Sequence, residues 1–552
     1  MGRRRETSET LMLAFRHILC LWLFASKLLK VSRGCTTFLV GQDATRDGSV
    51  FLGHTNDGDG GVAGNLEIVF RQEHDLPSRR PVSGGHIPQV RETYKYLTKV
   101  GGYAALNEYQ VGLAESTCVS KLAGNSSGIL NIVDLSELAM ERSKTARDAI
   151  ITMGNLAETY GYNDNGESLF VSDPVESFVF HITPDDTKKS AVWVAEVIPS
   201  NHAAVVANSF IIHDVNLEDK DGEKFLFSSN IVDVAVRQGF WNQKLPFNFN
   251  KIYSGPEPGY RYTSGRRMWY AFKLLGIDNL PPVYDNLQVQ QPYNTSYVIP
   301  SIAGKGKIDL TVAKNILRSY YQNTKYDMAT KLSGGPFGTP DRWAAGAGEH
   351  KVEGHWERNI AISRSIISYI LQIRHFLPNE LATMWIAPHA AHTSFYVPFV
   401  VGQSKLPRGY QAAAVNEVGR GISAWQASRF VFNIAQLKFS YMIKDIISLQ
   451  NLYENRSEHL QRQIERLYTT NNITLNEVTE FYVKNAEMCV SAWWKLSDDL
   501  ILRYADGYCN GYGPCMSAEY GTHLGYSSSW LEQMSDYRNG PDATGTSTAS
   551  TL

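Results

Sequence analysis

The sequence predicts an α+β protein in which two β-sheets are sandwiched between helical layers, with additional helices towards the C-terminus. Three features carry that expectation: strand-like runs at the beginning, hairpin-spaced strands in the middle, and amphipathic helical patterns flanking them. The first strand opens at Cys35-Thr-Thr-Phe-Leu-Val40, which is apolar and rich in β-branched residues. Arg46-Asp47-Gly48-Ser49 is a turn signal, and Val50-Phe-Leu-Gly53 resumes an extended run. Further strands are expected at Ala104–Leu106, Val111–Ala114, Ser177–Ile182, Ala191–Val197 and Ala203–Ile212, with turns at Pro184-Asp185-Asp186 and Pro199-Ser200-Asn201.

An amphipathic helix is expected between Ser136 and Tyr160, with Ser136 as N-cap and Leu138, Ala146, Ile150, Met153 and Ala157 on one face. A second helical region is read from Glu357 to Ile373. A third runs from Ser423 to about Tyr504, interrupted at Thr469–Asn472; its apolar repeat is not sustained over heptads, so it reads as packed helices. No composition break divides residues 35–535, which are read as one domain, and the Ser/Thr/Gly/Pro-rich tail from 536 to 552 as disordered.

The 552 residues are 43% hydrophobic and 20% charged, ordinary values for a globular protein. A formal net charge of −2 gives no footprint for nucleic acid. Residues 1–34 read as a removable leader: Arg3, Arg4 and Arg5 precede a short apolar run at Ile18–Ala25, suited to a signal-peptide core. That run falls short of the roughly 20 apolar residues that span a bilayer. Ser32-Arg33-Gly34 places small residues before Cys35; a cut near Ala25 or Ser26 followed by trimming, and an uncleaved anchor, are the alternatives. The leader holds seven Lys/Arg and two acidic residues, so its loss leaves 46 basic and 53 acidic side chains, a charge near −7. Sequons at Asn125, Asn294, Asn455 and Asn472 agree with entry into the secretory pathway, and a lysosomal or extracellular destination is expected. Outside the leader and Cys35 the cysteines are Cys118, Cys489, Cys509 and Cys515; the last two bracket a loop that a local disulfide could close.

Once the leader ends at Gly34, Cys35 owns a thiol and a free α-amine whose ordinary pKa values lie near 8.5 and 7.7–8.0. The amine can then take the proton of its own side chain, and processing switches the chemistry on. Neither His389-Ala-Ala-His392 nor Glu349-His350 with Glu353 and His355 has the spacing of a metal helix, and no glycine loop frames a phosphate. No metal and no cofactor is expected.

Cys35-Thr-Thr-Phe-Leu-Val-Gly41, Asp47-Gly-Ser49 and Gly53-His-Thr-Asn-Asp57 resemble the opening of the dipeptidase and secernin family of N-terminal-nucleophile cysteine hydrolases, related to penicillin V acylases and bile-salt hydrolases. The likeness continues through Asn107-Glu-Tyr-Gln-Val111, Val206-Ala-Asn-Ser-Phe210, Tyr262-Thr-Ser-Gly-Arg-Arg267 and His392-Thr-Ser-Phe-Tyr-Val-Pro398. It implies a four-layer αββα sandwich and a metal-independent hydrolase of dipeptides. By the same resemblance Cys35 is the nucleophile, Asp57 orients its α-amine, Asn107 and Asn208 serve the oxyanion, and Arg267 lies beside the nucleophile. An acylase-like action on N-acyl amides and a non-catalytic, secernin-like secretory protein are the alternatives. The implied partners are small peptide substrates, with no stable membrane insertion after leader removal and with self-association possible. One departure stands out: His54 occupies the position where the dipeptidases and acylases carry Arg and the secernins Lys. An imidazole is cationic only near or below pH 6.5 if unperturbed, which suggests an enzyme of an acidic compartment.

Overall fold

The computed structural model describes residues 34–534 apart from 59–63, 100–102, 125, 220, 256–263, 278–307, 331, 343–357, 412–420 and 511–521. Residues 1–33 of the leader and the tail from 536 therefore lie outside the described residues. The run after Cys35 forms β1 (Thr36–Val40), buried throughout. A turn returns the chain as β2 (Val50–Asp57), which pairs antiparallel with β1 in the register Thr36↔Thr55 and Thr37↔His54. Gly53 is required here by close approach: a Cβ on it would lie 2.0 Å from the Phe38 ring.

The next strands are β3 (Leu66–Val69), β4 (Tyr96–Lys99), β5 (Ala104–Asn107), β6 (Gly112–Cys118), β7 (Gly166–Ser172), β8 (Ser177–Pro184), β9 (Ala191–Val197), β10 (Ala203–Val206) and β11 (Phe225–Phe227). The last three are β12 (Ser365–Ile373), β13 (Thr383–Pro388) and β14 (Val397–Val400). They build a six-stranded sheet in the order β10-β1-β2-β12-β13-β14 and an eight-stranded sheet in the order β11-β9-β8-β7-β6-β5-β4-β3. The larger sheet is a near-continuous meander, as expected for strands joined by short turns.

One apolar cluster takes Phe38, Leu39 and Leu371 from the smaller sheet together with Ala114, Phe170, Val179 and Val194 from the larger. A second takes the alternate residues Leu113, Leu169, Val171 and Phe180 with Leu135, Leu138, Ile150 and Met153 from two helices. The period of two along β6 and β7 thus gives one face to each cluster.

Those helices are α1 (Ile132–Arg142) and α2 (Ala146–Tyr160), where the sequence suggested a single helix. Asn131 caps the first with a capping box and Thr145 caps the second by accepting from the Asp148 N–H. Ser136, expected as the N-cap, lies inside α1, and the chain is extended at Ser143 because Thr145 starts a fresh helix. The expected helix at 357–373 is instead β12: all nine residues of Ser365–Ile373 are buried, and a run buried on both faces lacks the alternation that marks a strand. Beyond α3 (Arg266–Leu274), the C-terminal region holds α4 (Ala424–Ala435), α5 (Phe439–Thr469) and α6 (Leu475–Tyr504), broken near Asn471 as expected. Among the described residues no helix is long and apolar enough to cross a membrane. Cys509 is disulfide-bonded, whereas Cys35, Cys118 and Cys489 are not in disulfides; Cys515 lies outside the described residues.

Gly53→Ala places a methyl group against Phe38 at the β1–β2 contact, and chemical denaturation should show it less stable than wild type by about 1–3 kcal/mol.

Candidate active site

Strand β6 creates the site by being zipped on one edge and open on the other. Along its whole length it pairs with β7, from Gly112↔Ser172 to Cys118↔Gly166. With β5 it pairs only at Gly112↔Leu106. Three carbonyls further along, spaced two residues apart, are satisfied by side chains instead. Leu113 O accepts from Tyr369 Oη at 2.9 Å, Glu115 O from His54 Nδ1 at 2.8 Å, and Thr117 O from Asn208 Nδ2 at 2.6 Å. Buried carbonyls need such partners. Tyr369 lies opposite His54 across β12 and β2, so both rings come from the same face of the smaller sheet.

Cys35, 5% exposed, immediately precedes β1 of the smaller sheet. Its carbonyl accepts from Arg267 Nη1 at 2.8 Å and from Ser116 Oγ at 3.2 Å. Arg267 comes from the first turn of α3 and is fully buried. It also donates to Thr36 Oγ1 at 2.8 Å and, through Nη2, to Asn208 Oδ1 at 2.6 Å. Asn208 was read as a strand residue; β10 ends at Val206, and Asn208 has φ 63°, a left-handed conformation that asparagine tolerates better than most residues. That twist turns its amide towards Thr117 and Arg267 while its backbone N–H bonds Ser116 Oγ at 3.0 Å.

Asp57 closes β2. Its carboxylate accepts from Ser365 Oγ at 2.7 Å, from Thr55 Oγ1 at 3.2 Å and from Arg358 Nη2 at 2.5 Å. The same Arg358 nitrogen also donates to the carbonyl of Gly34. Gly34 itself lies against Asn208, so that a Cβ on it would be 2.0 Å from Asn208 Oδ1. The residue before Cys35 is therefore held between the Arg358 guanidinium and the Asn208 amide.

Four of the five expected residues, Cys35, Asp57, Asn208 and Arg267, meet here. Asn107 does not. Its Nδ2 donates to the carbonyls of Met140 and Ser143 at 3.2 and 2.8 Å, and its Oδ1 accepts the N–H groups of Tyr109 and Val111. These bonds tie the β5–β6 turn to the end of α1 and leave no donor for an oxyanion. Arg358, Ser365, Ser116 and Glu115 were not singled out from the sequence. Arg358 and Ser365 fell in a stretch read as helix. Glu115 was recoverable, since a glutamate directly after the apolar strand Val111–Ala114 is an unusual occupant of a buried run.

The thiol of Cys35 is pushed well above its ordinary pKa by burial, then by the carboxylates of Glu115 and Asp57; a hydrogen bond from the Asp57 backbone N–H opposes this. Glu115 and its neighbour Glu167 are both raised by burial and interact with each other. Burial also lowers Lys99, against the attraction of Cys35. His54 is lowered to about 4, burial outweighing the attraction of Asp57. The sequence-based idea of a cationic His54 in a mildly acidic compartment is thus corrected: a buried imidazole donating through Nδ1 to a carbonyl stays neutral there. Cys35, His54 and Glu115 offer one ligand atom each within 4.8 Å of one another, a thiol, imidazole and carboxylate set with the chemistry to hold a zinc-like cation. His389, by contrast, packs against Trp425 and Phe432. Glu349, His350, Glu353 and His355 lie outside the described residues.

The model of peptidase family C69 matches residues 34–451, and the chain belongs to that family. It is accordingly a hydrolytic enzyme of the dipeptidase group. A probable dipeptidase B of Lactococcus lactis is 24% identical over 400 residues, covering 69% of this chain and 77% of the relative. A probable dipeptidase A of Streptococcus pyogenes is 24% identical over 440 residues, covering 76% and 85%. Among solved structures, penicillin V acylase from Agrobacterium tumefaciens is 11% identical with a TM-score of 0.29, covering 67% of this chain and 87% of that one.

The folded His54 binds a proton only near pH 4, whereas the unfolded chain binds it near pH 6.5. The unfolded state therefore carries more protons between these values, so stability falls as pH is lowered through the window. In urea titrations at several pH values, His54→Gln should show a shallower loss between pH 6.5 and 4 than wild type.

Proposed function

We propose that the chain is a cysteine-type N-terminal-nucleophile dipeptidase acting through an acyl-enzyme on Cys35. The observation that carries this reading is that Arg267, bonded to Asn208, holds the Cys35 carbonyl and Arg358, bonded to Asp57, holds the Gly34 carbonyl, where a mature N-terminus would be. Removal of the leader converts the Cys35 amide into an amine able to accept the thiol proton. It also releases the Arg358 nitrogen from the Gly34 carbonyl and clears the space against Asn208. Asp57, with Arg358 and Ser365 fixing its carboxylate, orients the amine.

In the first step the Cys35 sulfur attacks the substrate carbonyl carbon and the thiol proton passes to the α-amine. The C–N bond then breaks as that proton moves to the leaving amine, leaving a thioester. Water, deprotonated by the same amine, releases the acid and restores the thiol. Asn208, turned by its left-handed backbone, is the side-chain donor for the developing oxyanion, an interaction whose loss commonly costs about 3 kcal/mol. Arg267 positions Asn208 and the Cys35 carbonyl. A raised thiol pKa fits a nucleophile that keeps its proton until the amine removes it during attack.

The four-layer αββα arrangement is part of the proposal. Its support is that one apolar cluster joins the two sheets while another joins the larger sheet to α1 and α2. Entry into the secretory pathway, with a lysosomal or extracellular destination, is proposed on the sequons, of which Asn472 is exposed in the turn between α5 and α6, and on the bonded Cys509.

Active protein should begin at Cys35 by N-terminal sequencing. Cys35→Ala should lose Ala-Ala hydrolysis by at least about 10³-fold with an unchanged melting curve. Full activity in protein that retains residues upstream of Cys35 would refute the mechanism. Asp57→Asn should lower kcat while leaving Cys35 available to a neutral thiol reagent.

A further inference from the structure

His181 belongs to a buried polar row that the mechanism above does not use. Ser116, Ser168 and His181 lie opposite one another across β6, β7 and β8. They share the face of the larger sheet whose other residues, among them Ala114, Phe170 and Val179, pack against the smaller sheet. All three are fully buried, and polar groups persist in such a layer when they are hydrogen-bonded.

The bonds of the row run in one direction. His181 Nε2 accepts the backbone N–H groups of Ile211 at 2.9 Å and Ile212 at 3.1 Å. A ring nitrogen that accepts carries no proton, so the imidazole proton sits on Nδ1, 2.7 Å from Ser168 Oγ. Cys118 Sγ gives its proton to the Ser116 carbonyl at 3.3 Å, so Ser168 donates to the sulfur, 3.0 Å away. Burial lowers the His181 pKa to about 3, which keeps the ring neutral. The rings of Phe210 and Phe249 flank it, with centroids 4.9 and 5.9 Å away.

Residues 207–213 follow β10 and belong to no strand, so their buried N–H groups need partners from elsewhere. At one end of this segment the Asn208 N–H bonds Ser116 Oγ at 3.0 Å. At the other, the Ile211 and Ile212 N–H groups bond His181. The turn that carries Asn208 is thus pinned at both ends to one row of the larger sheet. A non-glycine residue at φ 63° persists where its surroundings over-determine it.

We infer that His181 is a positioning residue for the oxyanion donor: as a neutral acceptor it holds the Ile211–Ile212 backbone and so aims the side chain of Asn208. This rests on Asn208 serving an acyl transfer at Cys35. Arg267 fixes the amide oxygen of Asn208, and His181 fixes the backbone from which that amide projects. A donor must be in place before charge develops on the substrate oxygen, so a loosened turn costs rate more than binding.

The test uses the mature protein with Ala-Ala as substrate. His181→Leu removes the acceptor and should lower kcat on the order of 10²-fold, the effect of displacing a working group by about 1 Å, with KM little changed. His181→Gln returns an acceptor oxygen to the side chain and should recover most of that loss. In an Asn208→Ala background His181→Leu should cost almost nothing further, since the group it aims is gone. Losses that multiply in the double variant overturn the inference, because they mark a general structural role; equal losses in the Leu and Gln variants overturn it as well. NMR of isotope-labelled Cys35→Ala reads the anchoring without turnover. His181 should show the neutral Nδ1–H tautomer, and the Ile211 and Ile212 amides should exchange slowly with solvent, then rapidly once His181→Leu is added. An Nε2–H tautomer, or exchange that the substitution leaves unchanged, refutes the positioning role. Wild type that hydrolyses no dipeptide, with tautomer and exchange as expected, supports the anchoring of Asn208 and faults the assignment of Cys35 instead.

Discussion

The open edge of β6 is the constraint on which the rest of the site depends. A strand that leaves one neighbour after Gly112 exposes carbonyls at Leu113, Glu115 and Thr117 inside the protein. Each then needs a donor from elsewhere. Tyr369, His54 and Asn208 supply those donors, and in doing so they fasten the smaller sheet and the β10 exit to the larger sheet. Cys35 immediately precedes β1, which runs beside these anchors. Its position is therefore set by that strand and by the Arg267 and Ser116 side chains that hold its carbonyl.

This arrangement also accounts for the neutral ring of His54. Its Nδ1–H is committed to the Glu115 carbonyl, and burial disfavours the charged ring. Positive charge near Cys35 is supplied by Arg267 and Arg358, both anchored by several hydrogen bonds. One Arg358 nitrogen serves both Asp57 and the Gly34 carbonyl.

How much was legible in the sequence follows from how local each signal is. Cys35, Asp57 and the β1–β2 hairpin could be read directly, because a β-branched run, a turn and a second run lie within about twenty-five residues. The C-terminal helices were also readable from their periodicity. Ser365–Ile373 was misread because a strand buried on both faces carries no alternation, and apolar spacing alone does not distinguish it from a helix. The single helix at 136–160 became two because a local cap at Thr145 outweighs a continuous apolar stripe.

Asn107 and Asn208 mark the boundary most clearly. Both are asparagines beside strands, and sequence gave them the same expected role. In the folded chain Asn107 spends its whole amide on a turn and the end of α1, whereas Asn208 adopts a positive φ that aims its amide at Thr117 and Arg267. The sequence by itself determined the β1–β2 hairpin that ends at Asp57 and the C-terminal helices, because propensity, turn chemistry and capping act over a few residues. Only tertiary structure decided which polar groups share a space with the thiol: Arg358, Ser116, Glu115 and Glu167 reach it from separate strands and loops, and desolvation by two sheets, not their own chemistry, shifts Cys35, His54, Glu115 and Glu167 away from their ordinary protonation.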